Sequence, residues 1–371
     1  MKAFTLAAAL VFAHATLANA QPSGEESAAE KPAPTDEQIQ QWITQLGDED
    51  FQTREAAQAS LVAAGNPAYF ALDALPATDD PEMKLRVRQA KQVLEDDAAA
   101  QLREFGASVL KRDHAEYWNY VATKSADMGD AELVPLMRLR RVQVLRLDEG
   151  RFTDNALDYC RNLRNLRHFT SYRTQISDGG LETLTRFRDL ESIGILLPNM
   201  TNKGMASIAT LPNLRNLSIF NSPIDGRGLV HLRALKGQLE VLQLEGTAVG
   251  DEDLVHIRDF NMLRVLRLNG TAVTGKGLRH ISGLPNLESL FMRDLDLSDE
   301  AFAHLSRMQT LQRLSLNDST VTTDNLLTLL ESRSVIRIYV SPAEFTENEV
   351  KSIQTRFDAR DVDVKTSIHR Y

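Results

Sequence analysis

Cysteine is almost absent from this sequence: Cys160 is the one thiol in the chain. A lone thiol cannot close an internal disulfide, so stability has to come from a continuous apolar core. Long apolar runs are missing as well. Beyond the first twenty residues nothing approaches the ~18 unbroken apolar residues of a bilayer-crossing helix, so the remainder is expected to be soluble. No His-Glu-x-x-His, no Gly-x-Ser-x-Gly and no cysteine with a matched histidine occurs, and the carboxylates are scattered rather than paired. A non-enzyme without cofactor or metal is therefore expected. A surplus of positive charge is lacking too. The net charge of −9 is uneven: residues 21–104 carry 7 Lys/Arg against 17 Asp/Glu, while residues 105–371 carry 34 of each. A neutral array lacks the basic face that general nucleic-acid binding needs. One local cluster, Arg138 to Arg173, holds nine Arg against four acids; most read as solvated surface, with an anionic docking patch as the other reading.

What is present begins with residues 1–20, where Lys2, an apolar run from Leu6 to Phe12 and Ala18-Asn19-Ala20 have the layout of a secretory signal peptide. Cleavage near Ala20 predicts export to the periplasm or the cell exterior. Residues 21–35 are rich in Ser, Glu, Ala and Pro and predict a disordered linker.

The dominant feature is a repeat. LEVLQLEGTAVGDEDLVHIRDFNM, from Leu239, is followed at once by LRVLRLNGTAVTGKGLRHISGLPN. The opening apolar residue recurs at Val142, Leu166, Leu190, Leu214, Leu239, Leu263, Leu287, Leu311 and Val335, in steps of 24 residues except one of 25. Each unit predicts a short strand with inward leucines, a polar helix cap such as Asp154, Asp178, Asn202, Asp251 or Asp299, and a helical turn with apolar residues three apart. No unit hides its apolar side alone, but a stack of them does. Cys160 stands where other units place Leu184, Ile208 and Ile257, which predicts a buried, inert thiol. Ser332 breaks the apolar pattern and predicts fraying before a capping turn from Val335 to about Arg356. Val362 and Val364 are placed for a last edge strand.

On this L-x-x-L-x-L period, residues 128–357 resemble a leucine-rich-repeat solenoid of the ribonuclease-inhibitor-like or cysteine-containing subtype. The resemblance implies an α/β fold: a right-handed solenoid with parallel strands on its concave face and helices on its convex face. Ahead of it, residues 36–97 predict helices, with Gly47, Gly65 and Asp79-Asp80-Pro81 as breaks; the last of them runs from Glu82 to Leu94. DEDFQTREAAQASLVAAG and DDPEMKLRVRQAKQVLE resemble HEAT-like repeats, which implies local hydrogen bonds between Asp50 and Arg54, and between Asp80 and Arg86 or Arg88. Residues 98–127 predict a junction, with a short helix from Ala100 to Phe105 and two irregular strands. Residues 358–371 predict a C-terminal cap and tail. The order of these parts resembles that of exported proteins of planctomycete-type bacteria.

Side chains alternate along a strand, so the residues between the leucines must form two outward columns. A merely solvated sheet would be polar throughout. Here the columns include Tyr172, Leu196, Phe220, Gln243, Glu245, Arg267, Asn269, Phe291 and Arg293. Aromatic residues and arginine are what binding hot spots use, so a protein partner, or a cell-wall polymer, is expected on this face of a monomer. The alternative class is a self-associating structural component of the cell envelope.

Two patterns resemble chemistry. Gly270 to Gly277 is one residue short of a phosphate loop but ends in Gly277 where Ser or Thr is needed. His231, His256, His280 and His304 share one register, yet neighbouring helices pack ~8–10 Å apart and zinc needs ligands at ~2 Å, so they predict a convex-side row rather than a metal site.

Overall fold

The structure is a computed structural model, described here over residues 33–112, 115, 117–332, 334–341, 345–359 and 362–365. Residues 1–20, where a signal peptide is expected, most of the expected linker and the last six residues lie outside this range.

Four helices come first: α1 Asp36–Gln45, α2 Phe51–Ala64, α3 Asn66–Asp73 and α4 Pro81–Glu104. Their starts follow from capping chemistry. Thr35 and Gln38 form a reciprocal capping box at α1, Asp50 accepts from the Thr53 N–H at α2, and Asp80 accepts from the Glu82 and Met83 N–H groups at α4. Arg54 and Arg86 behave differently from the HEAT-like expectation. Arg54 donates to the Asp48 and Glu49 carbonyls rather than to Asp50. Arg86 bonds Glu55 at 2.9 Å and Glu82 at 2.7 Å rather than Asp80, and so clamps α4 to α2. The two helices expected over 82–94 and 100–105 are one. Asp96 and Asp97 are exposed while Ala98, Ala99 and Leu102 are buried, so the polar pair sits on the outer side of an unbroken helix with no glycine or proline to stop it. Packing nevertheless changes along α4. One core runs from Ile39 to Leu94, and a second begins at Ala98 and continues through the repeats to Val364.

The remainder is built on a single sheet in strict chain order. The junction contributes β1 Ser108–Leu110 and β2 Tyr120–Thr123, and the first four full repeats contribute β3 Val144–Asp148, β4 His168–Tyr172, β5 Ser192–Leu196 and β6 Asn216–Ile219. Shorter strands follow: β7 Val241–Gln243, β8 Val265–Arg267, β9 Ser289–Phe291, β10 Arg313–Ser315, β11 Arg337–Tyr339 and β12 Asp363–Lys365. β1 pairs antiparallel with β2, and every later pairing is parallel. Leu242, Leu266 and Leu290 are fully buried, as is Cys160, whose thiol burial pushes well above the ordinary range. Neighbouring strands lie ~4.8 Å apart, whereas helical layers need ~8–10 Å. A stack of strand–helix units therefore curves with its strands on the inner, concave side.

The turns after β3, β4 and β6 to β10 use one left-handed residue, seven places after the repeat start: Glu149, Arg173, Asn221, Gly246, Gly270, Asp294 and Asp318; Leu197, in that place after β5, is not left-handed. This settles the look-alike phosphate loop. Gly270 supplies the turn at φ +59°, and a Cβ on Gly277 would stand 2.5 Å from Asp251 Oδ1 of the preceding unit. Its glycines serve turn geometry and close stacking.

The helix caps are also corrected. At the helical turns that follow β3 to β5 the N-cap is Thr153, Ser177 or Thr201, one residue before the expected Asp154, Asp178 or Asn202, because that residue is extended and its hydroxyl accepts from the second N–H of the turn. Asp154 and Asp178 instead reach across to the next unit. Asp154 accepts from Ser177 N at 2.7 Å and Ser177 Oγ at 2.6 Å. Asp130 holds Thr153, Asp178 holds Thr201 and Asp251 holds Thr274 in the same way. Asn202 reaches Asp225 likewise, and Asp299 accepts from Asn325. Nor does the array fray at Ser332. That residue is buried, its hydroxyl lies 3.2 Å from Ser334 Oγ, and β11 pairs on both sides. The helix Glu347–Asp358 then covers the end, and Val362 and Val364 flank and fill β12 against it.

Candidate partner-binding face

The sheet register aligns the outward residues as columns. Arg146, Thr170, Gly194, Ser218, Gln243, Arg267, Phe291, Ser315 and Tyr339 pair in sequence along one line. Asp148, Tyr172 and Leu196 begin the second, which continues through Phe220, Glu245, Asn269 and Arg293 past the shortened strands. The nine residues singled out by sequence are thus on one face, but they are less open than alternation alone suggests. Arg293 is exposed, whereas the other eight are half-buried, because neighbours one unit apart lean on each other.

They fall into two groups. On β4 to β6, Tyr172 and Phe220 meet edge-to-face with ring centres 6.0 Å apart, across the intervening unit that bears Leu196. Gly194 leaves the room: a Cβ there would lie 2.8 Å from the Tyr172 hydroxyl. No other described residue hydrogen-bonds that hydroxyl, and burial raises its pKa above the ordinary phenol value, with the Asp148 charge adding to the effect. On β7 to β10 the outward groups are spent on one another. Arg267 stacks over Phe291 at 4.1 Å and lies 3.7 Å from Glu245. Asn269 accepts from the Arg293 N–H at 2.9 Å, and Arg293 Nε donates to Asp318 at 2.7 Å. Asp318 also accepts from Ser341, and with Arg293 this keeps its carboxyl below the usual range. Gln243 lies beside Arg267 in the register.

A third line of residues, just ahead of the strands, was not singled out by the sequence reading. Arg167, Glu191, Arg215, Glu240, Arg264 and Glu288 alternate in sign from unit to unit. Arg167 pairs with Glu191, Arg215 with Glu240, and Arg264 with Glu288 at 2.9 Å. The signal was available: the residue after each repeat start alternates Arg and Glu six times. The arginine-rich stretch from Arg138 to Arg173 is likewise partly neutralised, since Arg138, Arg146, Arg161, Arg167 and Arg173 each have a carboxylate partner and Arg140 shares Asp73 with Lys91.

The histidine row lies away from this face. His231 is exposed, His280 Nε2 is 3.7 Å from Glu252, and His304 Nε2 is 3.7 Å from Glu300. Burial lowers the pKa of His256, and Arg233 adds to the effect. Among the described residues no three His, Cys, Asp or Glu side chains converge as metal ligands. No described helix is long and apolar enough to cross a membrane.

No family model matches the chain, and no curated protein matches it. Solved structures do resemble it. An internalin of Listeria monocytogenes aligns at 14% identity and TM-score 0.45, over 67% of this chain and 72% of its own. A chain from the octameric complex of Latrophilin 3, Unc5D and FLRT2, the last represented by its leucine-rich repeats, aligns at 12% identity and TM-score 0.41, over 71% of this chain and 88% of its own. The leucine-rich-repeat architecture itself rests on this chain's register, its inward leucines and its twelve ordered strands.

Proposed function

We propose that this protein is a non-catalytic, exported binding scaffold that grips a protein partner on the concave strand face. The centre of the site is Tyr172, Leu196 and Phe220. Gln243, Glu245, Arg267, Asn269, Phe291 and Arg293 form its polar flank. The observation that supports this most is the Tyr172–Phe220 pair, two aromatic side chains turned outward on a sheet whose other side is already a complete core. A half-buried aromatic with an unused hydroxyl can bury further apolar area against a partner and gain one hydrogen bond in doing so.

The test has two stages. Cross-linking in intact cells identifies the partner, and purified protein then measures its Kd. Tyr172→Glu with Phe220→Glu should abolish binding while leaving the melting temperature near wild type. Unchanged affinity would sink the concave-face reading. Export belongs to the same proposal and rests on the composition of residues 1–20. N-terminal sequencing of protein from the cell exterior or periplasm should begin at Gln21, and a chain that starts at Met1 would contradict it.

A further inference from the structure

A cavity lies away from the strand face, at the seam between α3, α4 and the first turn of the repeats. Its volume of about 570 Å³ falls in the ~300–1,000 Å³ range of small-molecule sites. One wall is apolar, formed by Leu72, Leu75, Pro76, Met83 and Val87. The stripe Lys84, Arg88, Lys91 and Glu95 of α4, with residues 140 and 141 opposite, makes the other. That stripe keeps helical spacing, so one side of α4 is presented to the space along several turns.

The charges do not balance. Four cations, Lys84, Lys91, Arg140 and Arg141, face two carboxylates, Asp73 and Glu95, while Arg88 on the same lining has a partner of its own. Asp73 is shared: Lys91 donates to it at 2.6 Å, and Arg140 pairs with it as well. Glu95 is engaged by the Tyr69 hydroxyl at 2.9 Å. Tyr69 is fully buried, with Lys91 Nζ 5.5 Å and the Arg140 guanidinium 5.9 Å from its ring centre. Arg140 Nε is buried without a hydrogen-bond partner. Burial lowers the pKa of both Lys91 and Arg140, so both charges are less well supported by solvent than on an open surface. A buried donor with nothing to bond is uncommon in folded proteins and marks a place where a group from outside would be stabilised.

We infer that this cavity binds a small amphiphilic anion, with its headgroup on Lys91 and Arg140 and its apolar tail along Leu72, Leu75 and Met83. The apolar wall disfavours a bare hydrated ion, and the two under-neutralised cations disfavour a neutral hydrocarbon. Carboxylate and phosphate headgroups share this chemistry.

The experiment is calorimetric titration of the full chain with octanoate, hexyl phosphate, octanol and inorganic phosphate, each below any micelle concentration. Octanoate or hexyl phosphate should bind, and the tighter of the two names the headgroup. Octanol and inorganic phosphate should bind about tenfold more weakly or not at all. Arg140→Met and Lys91→Met should each weaken the bound anion by about tenfold. Because those two residues also hold the seam together, two further variants avoid it. Lys84→Glu reverses a charge on the exposed rim, and Leu75→Trp fills the apolar wall; each should weaken binding without moving the melting temperature. Equal binding of octanol and octanoate would overturn the inference. So would the absence of binding by either anion, or binding unchanged in Arg140→Met, Lys84→Glu and Leu75→Trp alike.

Discussion

The early repeats, β3 to β6, and the later ones, β7 to β11, solve the same problem on different surfaces. Each unit must adhere to the next beyond what its leucines provide. The early units do so at the start of their helical turns, where Asp130 holds Thr153, Asp154 holds Ser177, Asp178 holds Thr201 and Asn202 exchanges hydrogen bonds with Asp225. That chain of contacts is broken where Gly226 and Gly250 occupy the two places, and beyond it only Asp251 with Thr274 repeats the pattern in full. The later units adhere across the strand face, through Glu245, Arg267 and Phe291 and through Asn269, Arg293 and Asp318. Inter-repeat adhesion therefore occupies Glu245, Arg267, Asn269, Phe291 and Arg293 in the later half, whereas on β4 to β6 it leaves Tyr172, Leu196 and Phe220 without an ion pair, Arg146 and Asp148 being paired within their own strand. The outward residues that remain available, Tyr172, Leu196 and Phe220, are on the side where the stitching lies elsewhere.

The largest effects should not distinguish the halves at all. Leu217 on β6 and Leu266 on β8 are both fully buried, so Leu217→Ala and Leu266→Ala should each cost about 2–5 kcal/mol in urea unfolding. A gap of several kcal/mol between them would mean that the halves differ in core quality, and the surface comparison would lose its force. Binding should then separate them. Phe220→Ala is expected to cost about 2 kcal/mol or more of partner affinity, on the order of 30-fold in Kd. Arg293→Ala, which breaks an exposed ion pair with Asp318, should cost under ~1 kcal/mol. The reverse order would move the site to the later half. Stability should keep the same order of halves: Asp178→Ala strands Thr201 N, Thr201 Oγ1 and Gly204 N and should cost about 1–2 kcal/mol, more than Arg264→Ala on the exposed Arg264–Glu288 pair.

How far the face could be read in advance follows from the same geometry. A fixed period tells which residues become neighbours one unit apart, so both outward columns and the inward leucines were legible before any coordinates. The period does not tell which of two adjacent polar residues caps a turn. Asp154 and Thr153 are both good caps, and only the backbone shows that the hydroxyl caps while the carboxylate crosses to the next unit. Nor does alternation report side-chain lean, which is why Phe291 was expected open and is instead covered by Arg267. The seam cavity was not legible at all, since Arg140 meets Asp73 across a sequence gap that no local pattern spans. The unbroken α4 was missed for a related reason: charged Asp96-Asp97 reads as an end, unless it is known which side of the helix is outward.

The smallest expected effect lies at the boundary between the halves, in the unit from Leu214 that carries the 25-residue step. Here the usual order is exchanged: the cap is the carboxylate, Asp225, and the reaching side chain is Asn202. The Arg227 guanidinium and N–H hold the Asp225 carboxyl down at about 2, against an ordinary value of ~3.9. A depressed carboxyl stabilises the fold above its unfolded pKa and loses that contribution as pH falls through the folded value. The Asp225 contribution should therefore be complete above about pH 4 and fade as the pH falls toward 2, with a small amplitude because Arg227 is largely exposed. NMR titration of the Asp225 carboxyl reads this directly, and Arg227→Ala should move its midpoint up toward the ordinary value. An unmoved midpoint would assign the depression to Asn202 and the backbone, making this exchanged link as self-sufficient as the Asp–Thr and Asp–Ser links before it.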